Sequence, residues 1–173
     1  MTLQMTRITS LFLTGLIAGT FFYGTFCVLP AFNEVSSAIH LGFRTALMNH
    51  NKIVVMTLVL LALVTLIFYC WEARKIKVAR ILCALALVFT IVSLVITREG
   101  SVPINILIKT WNPVSPPVDW LTTLERWNLF NAIRTATSIG SFCCLLIADV
   151  WLKKYLQNSN INNLKNIPSI LNA

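Results

Sequence analysis

Trp127, Asn131, Arg134, Ser138 and Ser141 follow one another at steps of four, three, four and three along one apolar stretch. In a helix that spacing puts all five on a single face. Arg134 lies about one turn inside a segment fit to cross a bilayer. A charge there costs at least about 2.5 kcal/mol unless it meets a partner or a wet cavity, so it is a functional-site candidate by default. The chemistry open to a cation at that depth is to hold negative charge on a ligand. The structural alternative is that Arg134 reaches the headgroups, or pairs with Glu34, Glu99 or Asp119 to tie the loops down.

Other chemistry finds little support. His40 and His50 are ten positions apart, share no helix face and have no acidic helper nearby, so no metal site is expected. The five cysteines, Cys27, Cys70, Cys83, Cys143 and Cys144, fall in or at the ends of apolar runs without CxxC spacing, and read as small packing residues. No phosphate-binding glycine loop, dinucleotide fingerprint or nucleophile elbow is present.

The elements that must position Arg134 follow from composition. With 57% hydrophobic and 12% charged residues, the 173-residue chain is too apolar for a soluble globule. Four windows reach the roughly 20 apolar residues of a span: Ile8 to Leu29, Ile53 to Trp71, Val78 to Ile96 and about Leu129 to Val150. All must be helices, because unpaired backbone groups are too costly in lipid. The first is too long for a signal-peptide core and lacks a small-x-small cleavage site, so it is read as a mature span. The expected fold is an all-α antiparallel bundle of four transmembrane helices over 1–152, with a flexible cytoplasmic tail over 153–173.

Charge sets the expected orientation. The net charge of +8 comes from Lys and Arg lying between apolar runs rather than on an aromatic-interleaved stripe, which argues against nucleic acid. Arg74, Lys75, Lys77 and Arg80 crowd the short second link. The positive-inside rule then places both termini in the cytoplasm of a multi-pass inner-membrane protein. Two longer links, of about 23 and 32 residues, face outward. In the second of these, Ile104, Leu107, Ile108 and Trp111 follow i, i+3, i+4, i+7 after Pro103, which reads as a short amphipathic extracytoplasmic helix between helices 3 and 4. Asp119 is placed to cap a last helix that begins at Trp120 and outruns the membrane. Thr20, Tyr23, Thr57, Thr90 and Ser93 fall at the depth of Arg134, as an outward-opening polar pocket would require. Gly15 and Gly19, and the ladder Ala132, Ala136, Gly140, Cys144 and Ala148, are expected to seat helix contacts within the chain.

Val102-Pro103-Ile104-Asn105, Trp111, Asp119-Trp120, Arg126-Trp127, Asn131 and Arg134-Thr135 together resemble the signature of the anthrone-oxygenase-like family of small four-helix membrane proteins. Gly15, Ala18-Gly19, Phe22, Phe26 and Pro30 fit its first helix, and the resemblance covers roughly residues 8 to 152. Most members of that group have no assigned activity, and a few oxidise anthrones to anthraquinones with molecular oxygen and no evident cofactor. The resemblance implies that Arg134 and Asn131 are catalytic candidates and that Asn105, Trp111, Asp119 and Trp127 bind substrate; Tyr23 is expected to join them from its depth in the first helix. The resemblance implies no cofactor, and as partners a lipophilic phenolic or quinone-like molecule and the lipid bilayer. Many members carry histidine where this chain has Asn131, which puts a general-base role at that position in doubt, while Asn can still orient a carbonyl or phenol. Tryptophans would stack on such a ligand and Arg134 would stabilise its enolate. The competing expectation is a non-catalytic accessory or small transport component whose loop motif is structural.

Overall fold

The computed structural model describes residues 3–165. Four continuous helical rods cover nearly all of them: α1 (Gln4–Phe32), α2 (Ser37–Glu72), α3 (Lys77–Ile108) and α4 (Trp120–Lys165). Each is long and apolar enough to cross a membrane, as the four hydrophobic windows require. Each rod packs on its neighbours in the chain, and α4 closes the ring onto α1.

The rods are longer than the apolar windows. At 1.5 Å per residue, the 36 residues of α2 reach about 54 Å and the 46 of α4 about 69 Å, against a hydrocarbon core near 30 Å. The expected first outward loop is therefore helix from Ser37 onward, and only residues 33–36 break the chain. Hydropathy registers the part of a helix that sits in lipid and passes over the polar turns that continue beyond it. The short helix expected after Pro103 is present as Val102–Ile108, but it continues α3 directly. The other end of the chain behaves similarly, with α4 helical through the start of the expected tail as far as Lys165, and residues 166–173 lie outside the described residues.

One local device occurs twice. Gly24–Val28 and Thr97–Ser101 are single π-helical turns, closed by the Leu29 N–H on the Gly24 carbonyl and the Val102 N–H on the Thr97 carbonyl. Each contains a glycine and is followed, one residue later, by a proline: Pro30 and Pro103. Proline lacks an N–H and collides with the carbonyl four residues back. A widened turn just before it lets the helix pass through without ending. Gly100 is needed for a second reason: a Cβ there would lie 2.7–2.9 Å from the Phe130 ring of α4.

The core divides by depth. At the end holding the N-terminus and the 73–76 turn (the termini end), Leu66 and Tyr69 of α2, Ala79, Cys83 and Ala86 of α3, and Leu145, Ala148 and Leu152 of α4 pack together. Midway, Leu13, Ile17 and Phe21 of α1 meet Val59 and Ala62 of α2. The opposite, loop end gathers Leu41, Ile104, Ile108 and Leu124 with Trp111, Trp120, Trp127 and Phe130 around them.

The small-residue ladder of α4 holds only in its lower half. Ala132 and Ala136 are exposed, whereas Gly140 takes Phe89 against it and Ala148 is fully buried. The buried stripe is instead Asn131, Thr135, Ser138, Ser141, Leu145, Ala148 and Leu152. Hydroxyls do the packing higher up: Thr90 pairs with Ser141 at 2.9 Å and Ser93 with Ser138 at 3.3 Å. Gly15 does seat a contact, against Phe142, while Gly19 faces open space.

Candidate functional site

The loop end holds two arginines that no carboxylate among the described residues neutralises. Arg44 is only 4% exposed, carried on the part of α2 that hydropathy passed over, and its guanidinium sits 4.4 Å from the Trp127 ring and 5.7 Å from Phe32. Arg134, from α4, lies 4.3 Å from the Phe21 ring and 5.9 Å from the same Trp127. Four acids lie toward this end, Glu34, Glu99, Asp119 and Glu125, and all are exposed. Glu99 pairs with Arg98, and neither Arg44 nor Arg134 makes an ion pair among the described residues. The expected alternative of Arg134 pairing with Glu34, Glu99 or Asp119 is therefore not what the fold forms.

Aromatic faces and one amide take the place of counter-ions. Each cation–π contact supplies about 0.5–2 kcal/mol, which offsets only part of the cost of dehydrating a cation. Arg134 Nη2 donates to Asn131 Oδ1 at 2.5 Å, Asn131 Nδ2 donates to Thr25 Oγ1 at 2.7 Å, and Thr25 meets Thr135 at 2.7 Å. Asn131 is thus held on both sides of its amide, with one rotamer fixed by α1. Arg134 Nε and Arg44 Nε and Nη1 are buried without a hydrogen-bond partner among the described residues. Buried donors left unmade are uncommon and costly, and here three of them belong to the two cations beside one indole.

Trp127 is fixed by its own hydrogen bond, Nε1 donating to Asn105 Oδ1 at 2.7 Å. Asn105 comes from the Val102–Ile108 stretch, so the π turn before it sets where the indole is gripped. His40, one turn before Arg44 on α2, stacks on Phe32 at 4.7 Å and meets Trp120 edge-on at 5.8 Å. It is 5% exposed, and its Nε2 has no partner among the described residues.

The fold brings Asn105, Trp127, Asn131 and Arg134 into one cluster, with Trp111 packed on its apolar side. Two expected residues stand apart. Tyr23 is 62% exposed, facing away from the bundle. Asp119 is exposed, and its backbone carbonyl accepts from the Thr123 N–H at 3.1 Å in the first turn of α4. Of the hydroxyls placed at the depth of Arg134, Thr90 and Ser93 are buried, while Thr20 and Thr57 are exposed. Arg44, His40, Phe32, Phe21 and Thr25 join the site without having been singled out from the sequence. A helical reading of 37–52 would have put His40 and Arg44 on one face, four apart.

Two cavities in the bundle lie away from Arg44, Trp127 and Arg134. One, about 10 Å³ between Thr14, Thr90, Ser93, Ser138 and Ser141, is room for one water at most. The other lies at the termini end. Among the described residues no group of three or more His, Cys, Asp or Glu is placed to hold a metal.

The family model described as anthrone oxygenase matches residues 43–144, more than half of the chain. The chain belongs to the anthrone oxygenase family. The match takes in Arg44, Asn105, Trp111, Trp127, Asn131 and Arg134, so both arginines and the indole beside them fall within it. No curated protein and no solved structure matches the chain. The region matched by the anthrone oxygenase family runs from the second turn of α2 to the middle of α4.

Proposed function

We propose that the loop end binds a flat, lipophilic phenolic or quinone-like molecule against Trp127, with its oxyanion between Arg44 and Arg134, and oxidises it with molecular oxygen. The observation that supports this is the pair of guanidiniums, both within 6 Å of one indole, with N–H donors unmade and no carboxylate partner among the described residues. Such donors are aimed where charge develops, in a site that excludes water, which is how an oxyanion is stabilised. The family name, anthrone oxygenase, supplies the reaction class.

For an anthrone the steps balance as follows. The ring methylene loses a proton and the electron pair passes to the carbonyl oxygen, giving an enolate that Arg44 and Arg134 hold. The same carbon then gives its electrons to O2, a C–O bond forms, and protonation leaves a hydroperoxide. Loss of water from it yields the quinone carbonyl, so anthrone plus O2 gives anthraquinone plus water. The proton acceptor in this scheme is His40, the buried imidazole of the cluster with a free Nε2. Asn131, an amide held by Thr25, orients the substrate oxygen instead.

The test is turnover of 1,8-dihydroxyanthrone by the purified chain, followed as anthraquinone absorbance and oxygen uptake. Arg134→Ala abolishes turnover while the protein still inserts and folds; unchanged turnover sinks the catalytic role. His40→Gln retains anthraquinone binding, read by tryptophan quenching, and loses turnover. A second reading draws on the packing of the two guanidiniums against Trp127, Phe32 and Phe21. In it the cluster is a clamp that closes a non-catalytic accessory or transport protein. It is supported instead if no aromatic ligand quenches Trp127.

A further inference from the structure

The larger cavity, about 490 Å³, lies at the opposite end from the arginine cluster, between α1 and α4. Its size is within the range of small-molecule sites. One wall is ionic: Arg7 Nε donates to Asp149 Oδ1 at 2.8 Å with Nη2 on the same oxygen, and Lys153 Nζ is 2.9 Å from Asp149 Oδ2. The other wall is apolar, formed by Ile8, Leu11 and Leu156. Two cations thus share one carboxylate, and the groove carries one uncompensated positive charge. The Arg7 and Asp149 side chains are each 11% exposed, whereas that of Lys153 is 70% exposed. The ion pair is a fixed floor, and Lys153 is a free arm at the rim.

The position along the helices matters as much as the charge. Arg7 stands three residues into the membrane-crossing α1, and Asp149 and Lys153 lie toward the far end of the membrane-crossing part of α4, Trp120–Ser159. The groove therefore sits where headgroups give way to acyl chains, with its ionic wall and its apolar wall facing the two halves of a lipid. We propose that it binds one anionic phospholipid, the phosphodiester on Lys153 and Arg7 and an acyl chain along Ile8, Leu11 and Leu156. A single negative charge neutralises the groove. A zwitterionic lipid fits less well, because its ammonium would need a carboxylate and Asp149, the one acid among the lining residues, is already shared by two cations.

The experiment is native mass spectrometry of the full chain released from detergent, with dioleoyl phosphatidylglycerol, dioleoyl phosphatidylcholine or inorganic phosphate added. One phosphatidylglycerol per chain is retained at activation energies that strip phosphatidylcholine. Lys153→Ala, a change at an exposed side chain, weakens phosphatidylglycerol retention about fivefold, the worth of one basic residue beside an anionic lipid, and leaves phosphatidylcholine unchanged. Lys109→Ala, exposed at the loop end, changes neither. Equal retention of the two lipids, an unaltered Lys153→Ala variant, or an equal loss in Lys109→Ala overturns the proposal. So does displacement of phosphatidylglycerol by inorganic phosphate, which would mark an anion site with no part for the acyl chain.

Discussion

Replacing Arg44 with methionine separates a binding site from a clamp, because the two readings give its effect on stability opposite signs. Methionine keeps most of the apolar stem and removes the charge. The native side chain leaves Nε and Nη1 buried and unpartnered. At about 1–3 kcal/mol for each unmade donor, that is about 2–6 kcal/mol against folding. In favour stand the contacts with Trp127 at 4.4 Å and Phe32 at 5.7 Å, together about 1–4 kcal/mol. Taken at the middle of each range, the difference predicts that Arg44→Met stabilises the empty protein by about 1–2 kcal/mol, at the expense of function. Thermal unfolding in detergent, followed by tryptophan emission, should show a higher midpoint for the variant without ligand. Adding an anthraquinone should raise the midpoint of the native protein and leave that of Arg44→Met in place. A variant clearly less stable than the parent would refute this reasoning, since it would mean that the guanidinium is satisfied as it stands.

Gly100→Ala puts a methyl group 2.7–2.9 Å from the Phe130 ring and should cost about 1–3 kcal/mol by chemical denaturation, recovered in part by Phe130→Leu in the same chain. Asp149→Asn leaves the guanidinium of Arg7, 11% exposed, without its counter-ion and should destabilise by about 3–5 kcal/mol; the double variant Arg7→Met, Asp149→Asn should recover most of it, and a failure to recover would show that the pair does more than neutralise itself.

The four spans were legible because bilayer thickness imposes a length and a composition that few other folds satisfy. The α4 stripe was legible for a similar reason: an arginine within an apolar run stands out, and helical spacing then gathers Trp127, Asn131, Ser138 and Ser141 onto its face. Arg44 was not legible, although it is the more deeply buried of the pair. It sits with His40, Gly42, Asn49 and His50 in a stretch of mixed polarity that lacks a membrane signature, and such a stretch reads as a loop unless periodicity is sought in it. Tyr23 and Asp119 stand apart from the cluster for a different reason. Depth and position along a helix can be estimated from sequence, but the direction a residue faces is set by how the helices pack on one another, which hydropathy does not report.

Those two π turns carry a consequence for how such a chain can change. One extra residue in a helix rotates all that comes after it by about 100° while adding about 1.5 Å of length. Both insertions lie between the membrane-embedded part of their helix and the segment that reaches the arginine cluster: Phe32 follows the first, and Ile104, Asn105 and Ile108 follow the second. Loss of either inserted residue would re-aim those side chains in one step and leave the helix packing below untouched. The bundle thus has a swivel joint on two of its four rods, by which a single-codon deletion could alter what the loop end accepts without rebuilding the part that holds the protein in the bilayer.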